Sequence, residues 1–115
     1  MPPMHDVLEI RTEEEMQALL ELSVGKTVVL LKYSPTCGIS LAVEEAWEAW
    51  TESAPEAIVI ARCDVLGAKP AARGITASLG IMHQSPQVLV LHEGKCVAHT
   101  SHHSISLKWL RGAVG

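Results

Sequence analysis

Of the chain's three cysteines, Cys37 has the setting that makes a thiol reactive. It follows Val28-Val29-Leu30-Leu31, an apolar run of strand formers within Lys26 to Tyr33 that predicts a buried, parallel strand. From Ile39 onward Ala42, Val43, Ala46, Trp47 and Trp50 recur at helical spacing, while Glu44, Glu45 and Glu48 take the other face. Cys37 therefore falls at a helix N-terminus, where unpaired N–H groups and the helix dipole favour thiolate over thiol. Thr36, Gly38 and Ser40 are the candidate residues that support that thiolate. Ser40 also stands where a second cysteine would complete a Cys-x-x-Cys pair. With serine there, the site has one nucleophile and no local resolving thiol, so a mixed disulfide must be released by an external thiol. A lone cysteine here could also be a small helix-capping residue; strand, hinge, helix start and Ser40 together favour the nucleophile.

The elements that must position this thiol can be read in order. Val7 to Ile10 is a short strand, and Thr12 with Glu15 forms a capping box that opens a helix to about Leu22. The Cys37 helix dies near Ser53-Ala54-Pro55, because proline cannot continue it. Ala57 to Cys63 is a second buried strand, and the two strands with their helix make a right-handed βαβ unit. Lys69-Pro70 opens a third helix that Gly80 ends. After a loop over 81–86 come a strand from Val88 to His92, a two-residue turn at Glu93-Gly94 and a partner strand from Lys95 to Ser101. Ser104 caps a last helix carrying Ile105, Leu107, Trp109 and Leu110. The order is βαβαβαββα, an α/β fold with a central mixed sheet flanked by helices. Residues 1–6 are expected to be flexible, and 7–115 form a single domain.

Composition narrows the function. The chain has 115 residues, 48% hydrophobic and 19% charged, enough to build a core without disulfides or metal. A net charge of −4 offers no basic footprint for nucleic acid or an anionic membrane. No apolar run approaches the length of a membrane span. Met1 to Asp6 has neither a basic nor an apolar signal region, and an odd cysteine count argues against a disulfide framework. A reducing compartment, the cytoplasm, is expected. The oligomeric state is left open.

Three blocks in order, Ser34-x-Thr36-Cys37-x-Ile39-Ser40, His83-x-Ser85-Pro86-Gln87, and Gly94-Lys95 with His99-x-Ser101-His102, resemble the bacillithiol-system monothiol bacilliredoxin family. The resemblance covers nearly the whole chain and implies a thioredoxin-like fold, which the element order matches. One departure is Gly38, where the family usually has proline. The resemblance implies a single cysteine that removes bacillithiol from S-bacillithiolated proteins. Those proteins and bacillithiol, a thiol co-substrate, are then the partners, with no further cofactor.

In a thioredoxin-like fold the strand after Pro86 begins at the Cys37 end of the sheet, and its hairpin partner returns there at Ser101 and His102. From the dipeptide alone Ser85-Pro86 would be trans; the resemblance implies cis, which turns backbone groups of Ser85 toward the cysteine for a substrate to pair with. Ser85, Pro86, Ser101, His102 and His99 are therefore the candidate substrate-binding residues. Cys96, His99, His102 and His103 make no metal site, since a strand points Cys96 and His99 to opposite faces. Cys63 should lie buried at the Cys37 end and is a possible resolving thiol only after rearrangement. Cys96 should lie inert at the far end. Two functions fit: a monothiol exchange enzyme, or a thioredoxin-like stress or binding module whose Cys37 docks or caps partners without fast turnover.

Overall fold

A computed structural model describes residues 6–34 and 41–114 of the chain. The elements are β1 (Leu8–Ile10), α1 (Glu13–Leu22), β2 (Val28–Tyr33), α2 (Leu41–Ser53), β3 (Val59–Asp64), α3 (Lys69–Leu79), β4 (Gln87–His92), β5 (Lys95–Ser101) and α4 (Leu107–Val114), in the order expected. The sheet runs β1-β3-β2-β4-β5. β3 pairs parallel with β1 and β2, while β4 is antiparallel to β2 and β5 to β4. The alternation of buried side chains then builds two cores. Val28, Leu30, Ala61, Leu89 and Leu91 pack under Met16 and Leu19 of α1 and Ala72 and Ile75 of α3. Val29, Leu31, Ile60, Val88 and Val90 pack under Val43, Trp47 and Trp50 of α2 and Leu110 of α4. Both faces of β2 are covered, which is why its sequence is continuously apolar rather than alternating.

Local chemistry sets most boundaries. Glu15 N donates to Thr12 Oγ1 at 3.0 Å and Thr12 N to Glu15 Oε1 at 3.1 Å, the reciprocal pair that opens α1. Thr12→Ala should cost about 1 kcal/mol of stability, read as a lower urea midpoint at unchanged slope. Glu93 and Gly94 both take positive φ, 53° and 73°, as a two-residue turn matching the twist of its strands requires.

Several expectations need correction. The first strand begins at Leu8 rather than Val7. β3 runs from Val59 to Asp64 rather than 57 to 63, because Ile58 N donates to Pro55 O and closes a turn first. β4 takes in Gln87. Ala42 is exposed, so the buried stripe of α2 narrows to Val43, Trp47 and Trp50. The last helix is capped by Ser106, whose Oγ accepts from Trp109 N at 3.1 Å, and not by Ser104. Ser104 instead ends a 3-10 turn over His102–Ser104, entered through His102 at φ 54° and closed by Ile105 N on His102 O. Ile105 follows in extended backbone as a buried anchor, outside the helix.

Candidate active site

Cys37, Thr36, Gly38 and Ser40 lie outside the described residues; β2 ends at Tyr33 and α2 starts at Leu41 on either side of them. The strand registers show what lies at that end of the sheet. Ile10, Cys63, Lys32, Gln87 and Ser101 occupy one row across all five strands, and the next row brings Tyr33 beside Asp64.

The Ser85-Pro86 bond is cis. Pro86 O accepts from His102 N at 3.0 Å, and Ser101 Oγ donates to Gln84 Oε1, so the end of β5 is tied to the 82–86 loop at two points. Ser85 Oγ is buried without a hydrogen-bond partner among the described residues. The side chain of His102 is exposed. His99, opposite Leu89 in β5, is also exposed but lies two rows further from this end than Ser101. Ser85, Pro86, Ser101 and His102 thus come together, whereas His99 stands back along the strand. Among the described residues no cluster of His, Cys, Asp or Glu is arranged to hold a metal.

A polar network behind the loop was not anticipated. Lys32 is completely buried, and it is the only charged side chain among the described residues that is. Its Nζ lies 2.7 Å from His83 Nδ1 and 2.8 Å from Gln87 Oε1. Gln87 Oε1 also accepts from Gln84 N at 3.2 Å, and Gln87 Nε2 donates to Met82 O at 3.0 Å. Burial lowers the Lys32 pKa to about 8, opposed by Cys63 and reinforced by Arg73. His83 is held below its ordinary value by burial, then by Lys32 and Arg73. Its Nδ1 is the acceptor for the ammonium, which leaves the proton of the neutral ring on Nε2. The signal was present in β2: Lys32 is in phase with Val28 and Leu30, and period-2 alternation points it into their core.

The remaining thiols are poor nucleophiles. Cys63 is fully buried, and its pKa is pushed up to about 11, first by burial, then by Glu9, with Lys32 opposing and Asp64 adding. Cys96 is half-buried, with its thiol on Ala98 O at 3.3 Å, and burial raises its pKa too. It sits beside the hairpin turn, opposite Leu91, at the far end of the sheet. On the opposite face to Lys32, Tyr33 Oη donates to Glu9 Oε2 at 2.9 Å under the Arg62 guanidinium, 4.1 Å above the ring. Glu9, Arg11, Tyr33, Asp64 and Gly67 line a polar cavity of about 380 Å³ there.

The sequence matches the family model for monothiol bacilliredoxin BrxC over residues 8–110. The chain belongs to the monothiol bacilliredoxin family. This bacilliredoxin has the thioredoxin fold. It superposes with a TM-score of 0.81 on a protein described as having a thioredoxin fold, at 19% identity over 95% of this chain and 94% of that one. The Fasciola hepatica thioredoxin gives 0.73 at 20% identity over 94% and 96%. The Malassezia sympodialis thioredoxin gives 0.75 at 16% identity over 99% and 92%. Family and fold together make the chain a thiol–disulfide redox protein. No helix of the described residues is long and apolar enough to cross a membrane.

Proposed function

We propose that this bacilliredoxin removes bacillithiol from S-bacillithiolated proteins through Cys37, in the cytoplasm. The Cys37 thiolate attacks the bacillithiol sulfur of the mixed disulfide, the S–S bond breaks, and the client cysteine leaves as thiolate. Cys37 now carries bacillithiol. A second, external thiol attacks the bacillithiol sulfur of that adduct, takes the bacillithiol away as a new disulfide and returns Cys37 as thiolate. With free bacillithiol as that thiol, the product is bacillithiol disulfide. Ser85 and Pro86 would pair with the client chain, and His102, with Ser101 beside it, would meet the malate carboxylates of bacillithiol; His99 would contribute from further back.

The observation that carries this reading is the contrast among the cysteines. Burial pushes both Cys63 and Cys96 toward the protonated thiol, which leaves Cys37 as the candidate nucleophile. A peptide capped with bacillithiol should therefore give a single adduct on Cys37, with Cys63 and Cys96 unmodified. Intact-protein mass spectrometry with peptide mapping reads this directly. An intramolecular bridge from Cys37 to Cys63 as the main product would sink the monothiol mechanism.

A further inference from the structure

We propose that Lys32 is a positioning residue of the exchange site: through Gln87 its buried amine clamps the 82–86 loop, with Ser85 and Pro86, to the strand that leads into Cys37. This rests on the proposed use of that loop in substrate pairing.

Burying a lysine is unfavourable, and an apolar side chain of similar volume would serve the core better. Apart from its partner Gln87, the neighbouring positions on that face are apolar: Val28 and Leu30 in the same strand, Ala61 and Leu89 beside them. No carboxylate forms an ion pair with Lys32 among the described residues. What Lys32 gains is two acceptors, His83 Nδ1 and Gln87 Oε1, one in the loop and one at the start of β4. Gln87 then uses both ends of its amide on the loop: the oxygen takes Gln84 N and the nitrogen holds Met82 O. Those two contacts flank His83 and hold the loop immediately before Ser85. Gln84 passes the restraint on through its side chain to Ser101, and Pro86 O holds His102 N.

The rigid end of this chain is Lys32. Its backbone is paired on both sides, with Cys63 in β3 and Gln87 in β4. The other end is the loop, which has no ladder of its own. An ionised donor also makes the stronger hydrogen bond, so the ammonium fixes the orientation of the Gln87 amide better than a neutral group would. Removing Lys32 takes away one of the three hydrogen bonds that orient that amide, and both loop contacts depend on its orientation.

The test compares Lys32→Met, Gln87→Leu and the double variant with wild type on a cysteine peptide capped with bacillithiol. Each single variant should raise KM about tenfold, the worth of one hydrogen bond to a charged group. The double variant should be no worse than about twofold beyond either, because the two residues act as one unit. Alkylation of Cys37 by iodoacetamide, which needs no paired loop, should stay within about threefold of wild type in all of them. An unchanged KM, additive effects in the double variant, or alkylation falling in step with exchange would each overturn the positioning role. If Lys32→Met fails to fold, Gln87→Leu carries the KM and alkylation comparison alone.

The same peptide capped with glutathione separates this proposal from the choice of substrate. A wild type active on the glutathione cap and inert on bacillithiol overturns the bacillithiol reading, and the variant ratios are then read on glutathione. Amide NMR gives a readout free of activity: the Gln84, Ser85 and His102 signals should shift in both single variants. Unmoved signals overturn the clamp.

Discussion

Between pH 7 and pH 9.5 the wild type should gain about 2 kcal/mol of stability relative to Lys32→Met. The cause is the buried amine, whose pKa falls from 10.5 to about 8 in the folded chain. At pH 7 the lysine is protonated both folded and unfolded, and the folded state bears the full desolvation penalty. As pH rises past 8 the folded chain sheds its proton while the unfolded chain keeps its own. The unfolded state then binds more protons, so stability rises with pH until the unfolded lysine also titrates. Other groups contribute their own slopes, including the raised Tyr33 hydroxyl and Cys63 thiol, but these are shared by wild type and variant and largely cancel in the difference. Urea unfolding of both proteins at the two pH values measures it. Parallel stability curves would mean that Lys32 is not charged and buried as described.

The same residue shows where sequence reading reaches its limit. The elements that were legible are those whose signals are local: the Thr12 and Glu15 box spans four positions, and the Glu93-Gly94 turn needs only two residues with positive φ. In the sequence Lys32 is one more residue of a strand, with nothing nearby to give it a role. Its partners His83 and Gln87 lie 51 and 55 positions away, and only the register of β2 against β4 makes them neighbours. Phase along β2 was enough to point Lys32 inward, but not to say what would meet it there. Ser104 failed for a different reason. Ser104 and Ser106 have equal capping chemistry, and the choice between them was made by the left-handed His102, whose 3-10 turn delays the helix. On the site itself, the topology brought Ser85, Pro86, Ser101 and His102 together as expected, because antiparallel β4 and β5 fix where their ends fall. The cis bond at Pro86 came from the family blocks, since the dipeptide alone favours trans.

Cys37→Ser should lower exchange with the bacillithiol-capped peptide by at least about a thousandfold, whereas Cys63→Ala should stay within about twofold of wild type. Serine cannot form the S–S bond on which the mechanism depends, so residual activity would have to come from another cysteine. With a pKa of about 11, Cys63 has only about one thiolate in ten thousand at pH 7, and it is fully buried between β1 and β2. Cys96 is at the other end of the sheet, beside the hairpin. Neither can replace Cys37 in the folded chain. Cys63→Ala removes one buried sulfur and should cost about 1 kcal/mol of stability, so the rate comparison belongs well below the unfolding transition of the variant. Single-turnover rates separate the two half-reactions. If Cys63→Ala captures bacillithiol normally but releases it far more slowly, Cys63 takes part in resolution after local opening, and release by an external thiol is not the only route. Equal rates in both half-reactions leave Cys37 as the sole working thiol.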